Sequence, residues 1–166
     1  MVLAAYADEP RAAVLAAKRP GGEFMAAGLA TLLAARHRGQ FEAWGIDLIV
    51  PVPMHWRRRM MRGTSAADSL ARALAAALDR PWRSALVRTR ATQMQNELEP
   101  SARRSNVRGA FRAMSGTRGR RVLLVDDVTT TGGTLSACRR ALVAAGATAV
   151  YAAAAVRADA TEAAAE

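Results

Sequence analysis

Asp126 and Asp127 are adjacent carboxylates, and the positions just after them hold Thr129, Thr130, Thr131, Gly132, Gly133 and Thr134 with a single valine at 128. Hydroxyls and bare backbone at the entry to a helix make an anion receptor. The first N–H groups of a helix have no intrahelical partner, and its dipole is positive there. Gly132 and Gly133 let the main chain come close to the anion, and the hydroxyls of Thr130, Thr131 and Thr134 add donors. Two carboxylates would repel the same phosphate, so they must meet another part of the ligand. Neighbouring sugar hydroxyls, or a metal carried by the ligand, meet that need. The residue types therefore describe a phosphorylated polyol, most simply a ribose 5-phosphate.

Other receptors for phosphate fit less well. No Gly-Lys-Ser/Thr tripeptide occurs, so there is no P-loop, and the G-x-G-x-x-G fingerprint is absent as well. The run "VLLVDD" (122–127) resembles the first strand of response-regulator receivers, but those place a phosphoacceptor Asp on a later strand. Here the only later aspartate is Asp159, in the tail. An ordinary strand–turn–helix needs neither paired acids nor this density of Thr and Gly.

These residues must be held by an alternating framework. Apolar runs at 46–52, 84–88, 121–126 and 148–156 read as strands, the second being the weakest. Helices are expected over 10–18 and 23–36, split by Pro20-Gly21-Gly22. Two more are expected over 64–78, with Thr64 or Ser65 as N-cap, and over 131–145, closed by Gly146. Strands alternating with amphipathic helices predict an α/β fold, a mainly parallel sheet flanked by helices, with ligands beyond the carboxyl ends of the strands. Val52-Pro53, the polar stretch 89–120 and the acid pair all fall at that edge. The expected organisation is a helical N-terminal segment over 1–45, a core over 46–156 and a flexible tail over 157–166.

Composition narrows the class. The chain has 166 residues, enough for one domain with a proper core. No apolar run approaches the length of a membrane span and no signal-peptide core is visible, so a cytoplasmic protein without membrane insertion is expected. Cys138 is the only cysteine, which excludes disulfides and Cys-based zinc fingers within one chain, and it lies on an apolar stripe with Leu135 and Leu142. The formal net charge is +10, and Lys18 is the only lysine among the basic residues. Such a balance points to an anionic partner or to an arginine-biased surface. Trp44, Trp56 and Trp82 suit either packing or base stacking.

"VLLVDDVTTTGGT" (122–134) resembles the signature of type I phosphoribosyltransferases, which bind 5-phosphoribosyl-1-pyrophosphate (PRPP). More narrowly, the chain resembles the ComF family of bacterial competence-associated proteins over residues 6–156. The similarity includes "YADEPRAAVLAAKRPGG", "DLIVPVPMHWRRRMMRG" (47–63) and "RTRATQMQNELEPSARRSNVRGAF" (88–111).

The resemblance implies roles. Asp126 and Asp127 would hold the ribose hydroxyls, Asp127 through Mg²⁺, as the catalytic acids. Residues Thr129 to Thr134 would cradle the 5-phosphate. The turn Val52-Pro53-Met54-His55, with Arg57, Arg58 and Arg62, would meet pyrophosphate, since guanidinium forks suit phosphate oxygens. Thr92, Gln95, Arg103, Arg104 and Asn106 would lie on a mobile loop that closes over the site. Two departures accompany it. Many members carry a four-cysteine zinc module ahead of the region resembling Tyr6, and this chain lacks those cysteines, so no zinc is expected. Thr64-Ser65-Ala66 also replaces the family's aromatic-Asn-Gln run.

Three functions fit this pattern: a Mg-dependent phosphoribosyl transferase, a PRPP or nucleotide sensor without turnover, and a single-stranded DNA-binding adaptor. Competence-machinery proteins are further candidate partners. No residue identifies an acceptor or an oligomeric state.

Overall fold

The computed structural model describes residues 1–5, 8–54, 65–89 and 109–158. Strand β1 (Val2–Ala5) leads into helices α1 (Asp8–Ala17) and α2 (Glu23–Trp44), then β2 (Leu48–Pro51) and α3 (Ala66–Leu78). The short strands β3 (Leu86–Arg88) and β4 (Phe111–Ala113) follow, and β5 (Arg121–Thr129), α4 (Gly133–Ala144) and β6 (Ala149–Arg157) complete the order. Among the described residues, four strands form one sheet in the order β1-β6-β5-β2, with every neighbouring pair parallel. Its central strands are apolar on both sides, as strands covered on both faces must be.

The two-residue period of β2 and β5 divides the core. Ile49, Leu123 and Val125 face a layer built from α1, α2 and α3, where Leu33, Leu70 and Leu74 are buried. Leu48, Val50, Val122 and Leu124 face α4 and the β3–β4 ribbon, meeting Cys138, Leu142, Leu86 and Phe111. Cys138 is thus a core residue, as its stripe predicts, and burial pushes its thiol pKa upward.

Caps follow the chemistry of the sequence. Ser65 is the N-cap of α3, its Oγ accepting the Asp68 N–H at 3.3 Å. Gly45 ends α2 in the left-handed region, at φ 57°. Helix α2 runs past the expected boundary at 36 to Trp44, and bends at His37, whose φ of −123° and ψ of 16° are not helical. The His37 ring stands 3.2 Å from the Val2 carbonyl, which ties the bend to β1.

The expectation for 84–88 needs correction: that segment is not a strand of the main sheet. The chain touches the outer edge of β2 earlier, at Trp82, where the Ile49 N–H donates to Pro81 O at 2.9 Å and the Arg83 N–H donates to Ile49 O at 2.9 Å. It then turns away, and β3 pairs antiparallel with β4 as a separate ribbon. Strand β4 lies inside the polar stretch 89–120, and β1 fills the sheet edge beyond β6, two strands with too few residues to show a period. Residues 121–126 extend as β5 to Thr129. Within the expected tail, Arg157 belongs to β6 and the Ala158 N–H donates to Thr129 O at 2.9 Å; residues 159–166 lie outside the described set. Among the described residues, no helix is long and apolar enough to cross a membrane.

Candidate functional site

Strand β5 carries the acid pair on a rigid support. Pairing with β2 ends at Val125 opposite Pro51, whereas pairing with β6 continues to Thr129 opposite Arg157. Asp126, Asp127 and Thr129 therefore stand within an overhang of the strand, which runs three residues past the expected end at 126. Pairing of β5 with β6 holds their backbone in place.

Asp126 is 9% exposed. Its Oδ1 accepts the Asp127 N–H at 3.0 Å, and Oδ1 of Asp127 accepts the Val128 N–H at 2.9 Å. Burial raises the pKa of Asp126 well above the ordinary carboxylate range; the neighbouring charge of Asp127 adds to the rise, and Lys18 opposes it. In the ligand-free site a proton is thus retained on Asp126 more readily than on a solvated carboxyl, and the protonated form can donate to a sugar hydroxyl as well as accept.

The Thr/Gly turn follows at once. Thr130 and Thr131 bridge β5 to Gly132, the N-cap of α4, at φ 74° and ψ 9° in the left-handed region. As a glycine, the N-cap residue offers no side chain to the first N–H groups of the helix, and the Ser136 N–H donates to Gly132 O at 2.8 Å. A Cβ built on Gly132 would have no heavy atom within 4 Å, so space is open on that side of the turn. Gly133 and Thr134 begin α4 and are half-buried. This is the geometry in which backbone donors bind phosphate.

Val52 leaves β2 beside the acids, its N–H donating to Val125 O at 2.8 Å; Pro53 and Met54 follow, half-buried. His55, Arg57, Arg58 and Arg62 lie outside the described residues, as do Thr92, Gln95, Arg103, Arg104 and Asn106. The ends of the second stretch are described. The Thr89 N–H donates to Ala110 O at 2.9 Å and the hydroxyl of Thr89 to Gly109 O at 3.4 Å, so Thr89 and Gly109–Ala110 stand side by side.

One cation beside the acids, Lys18, was not expected as a site residue. Lys18, just past α1, places Nζ 3.6 Å from Oδ2 of Asp127. Arg88, at the end of β3, lies over the Phe111 ring at 5.5 Å, and its charge opposes the upward shift at Cys138 that Asp126 reinforces. The signal for Lys18 was its being the only lysine in an arginine-rich chain.

The tryptophans in the described set serve packing. Trp44 stacks on Tyr151 at 4.3 Å, and Trp82 packs against the first core layer with the Arg72 guanidinium 4.9 Å above its ring. A cleft lined by Arg72, Arg80, Pro81 and Trp82 lies beside that pair.

Among the described residues, no group of three or more His, Cys, Asp or Glu side chains can hold a metal ion by itself. Two adjacent carboxylates do suit Mg²⁺, which keeps waters and binds through one or two carboxylates together with substrate phosphates. The donor set therefore fits a metal that arrives with its ligand.

The sequence profile of the phosphoribosyl transferase domain matches residues 24–165. DNA utilization protein YhgH of Escherichia coli strain K12 is 41% identical over 105 residues, 63% of this chain and 46% of that protein. Competence protein F of Haemophilus influenzae is 42% identical over 94 residues, 54% of this chain and 41% of that protein. The chain thus spans about half the length of the curated relatives it matches. In structure it is similar to the glutamine PRPP amidotransferase of B. subtilis, determined with ADP and GMP. The TM-score is 0.52 at 26% identity, over 78% of this chain and 25% of the enzyme.

Proposed function

The chain belongs to the ComF family of phosphoribosyl transferase domain proteins, and on that premise we propose that it binds Mg-PRPP, or a related ribose 5-phosphate, and transfers the phosphoribosyl group. The observation that carries this reading is the continuity of β5 into α4. A paired-acid strand overhang runs through Thr130 and Thr131 into a helix whose N-cap is a glycine in the left-handed region.

Each part has a task. Backbone N–H groups of the turn Thr130–Gly133, with the threonine hydroxyls, bind the 5-phosphate. Asp126 and Asp127 orient the ribose hydroxyls, and Asp127 supplies a carboxylate oxygen to the metal. Mg²⁺, when bound with the ligand, neutralises the pyrophosphate. The main chain at Val52–Met54 and the arginines predicted after it stabilise the departing group. In the transfer, the bond from C1′ to the pyrophosphate oxygen breaks with its electron pair leaving on pyrophosphate. An acceptor lone pair forms the new bond to C1′, and the acceptor's proton passes to solvent.

The names of the relatives point to DNA utilisation and competence as the setting. The same cationic stretch 89–120, with Glu97 and Glu99 as its only acids, also suits weak binding of a single-stranded DNA backbone.

Calorimetry with Mg-PRPP tests the reading. Wild-type protein binds saturably, and Gly132→Val abolishes binding while the protein still melts cooperatively, because a β-branched residue cannot hold the left-handed turn without strain. Unchanged affinity in that variant removes the phosphate-loop assignment. Pyrophosphate release with ammonia and with bases as acceptors separates transfer from binding alone.

A further inference from the structure

Of the two oxygens of Asp127, Oδ1 is engaged with the strand through the Val128 N–H at 2.9 Å. Oδ2 is the oxygen that a ligand's hydroxyl or metal must reach. It is also the oxygen that Lys18 faces, at 3.6 Å, with both side chains about one-fifth exposed (23% and 22%). That separation is an ion pair longer than a hydrogen bond, so the ammonium donors are not committed to Asp127.

The placement of Lys18 is built into the fold. Val14 and Ala17 anchor α1 in the core, at 1% and 5% exposure. The chain then turns tightly: the Lys18 N–H donates to Val14 O and Leu15 O at 3.2 Å each, and the Gly22 N–H to Arg19 O at 3.0 Å. This turn delivers the side chain across the sheet to β5. Lys18 also precedes residue 24, where the domain match begins, so the matched span does not contain it. The choice of residue suits a mobile contact. Lysine is a compact point charge on a flexible stem, whereas arginine favours a fixed fork.

We propose that Lys18 is a ligand-binding residue of this site: it covers Oδ2 of Asp127 while the site is free, and turns its ammonium onto the ligand's phosphate or hydroxyl oxygens when Mg-PRPP arrives. The inference rests on the phosphoribosyl reading of the site. Its consequence is a pair of opposite effects. Without the ammonium, a bare divalent cation reaches Asp127 more easily. A strongly anionic ligand, in contrast, loses a charge-assisted contact.

The experiment compares wild type with Lys18→Met and Lys18→Arg, using calorimetry for Mg-PRPP and electron paramagnetic resonance for Mn²⁺ alone. Lys18→Met is expected to bind Mg-PRPP about tenfold more weakly, the order of one charge-assisted hydrogen bond, and Mn²⁺ more tightly. Lys18→Arg restores most of the Mg-PRPP affinity. Melting temperatures stay within a few degrees of one another, since a partly exposed ion pair contributes little to stability. If Lys18→Met binds both probes as wild type does, or loses both, the proposal is overturned and the phosphoribosyl reading stands. Wild-type protein that takes up no Mg-PRPP overturns that reading and this inference with it.

Discussion

Gly22 offers the sharpest mechanical test of how the site is assembled. Its φ of −76° and ψ of 4° are ordinary, so backbone strain is not the reason for a glycine here. Space is the reason. A Cβ at Gly22 would collide with the carbonyl oxygen of Ala16 and stand 2.7 Å from that of Ala17, both backbone atoms at the end of α1 that cannot swing aside. Gly22→Ala must therefore push α1 away from α2. Forced overpacking costs about 1–3 kcal/mol. Removing a glycine recovers about 0.4–1 kcal/mol through the unfolded chain where the fold accepts the side chain, so a net loss of about 1–2 kcal/mol is expected.

Gly39 is the control. It lies in α2 with nothing within 4 Å of a built Cβ, and Gly39→Ala should stabilise by about 0.5–1 kcal/mol. Urea unfolding followed by tryptophan fluorescence reads both. The displacement moves Lys18, so Gly22→Ala should also weaken Mg-PRPP binding. In a double-mutant cycle with Lys18→Met the two binding losses should overlap rather than add. Gly22→Ala as stable as Gly39→Ala would refute the steric reasoning, and full additivity would refute the route through Lys18.

Asp126→Asn should stabilise the protein in EDTA without ligand. The wild-type carboxyl has a folded pKa raised by burial, so its contribution is fully present below the unfolded value near 4 and is lost as pH rises through the folded value. The melting-temperature gain of the variant should therefore grow upward from about pH 4, and a pH-independent difference would show that the carboxyl is not the cause. Leu124→Ala, at a site with 0% exposure in the layer against α4, should cost about 2–5 kcal/mol by chemical denaturation. Labelled single-stranded DNA, followed by fluorescence anisotropy, should bind at low salt and lose roughly tenfold or more on a fourfold rise in salt if about four phosphates are contacted. Competition from Mg-PRPP is expected, and binding that ignores it would separate the two sites.

The elements of the candidate site were legible because they are long or chemically biased. The run 121–126, the Thr/Gly turn and the leucines of α3 each announce themselves within one window of sequence, and the structure puts them where that pattern implies. What escaped was short or non-local. Strands β1 and β4 span Val2–Ala5 and Phe111–Ala113, too few residues for a period to emerge. The diversion of 84–88 depends on Trp82 having already met β2, a partnership invisible from Leu86 and Val87 alone. The overhang of β5 past Val125 arises because its two neighbours differ in length. Lys18 reaches Asp127 across most of the chain, and local spacing contains no trace of such a meeting.

The first strand is a register neighbour of the last, Val2 beside Ala154 and Ala5 beside Arg157. This gives the protein an order of assembly in time. During synthesis β1 emerges well before β6, and closing a loop of that span has an entropic cost that only the later contacts repay. Helices α2 and α3 can pack on each other while they wait. The edge of the sheet that precedes α1 cannot close until β6 exists. A nascent chain stalled before Ala149 would carry the Thr/Gly turn and both acids without the strand that holds them in register.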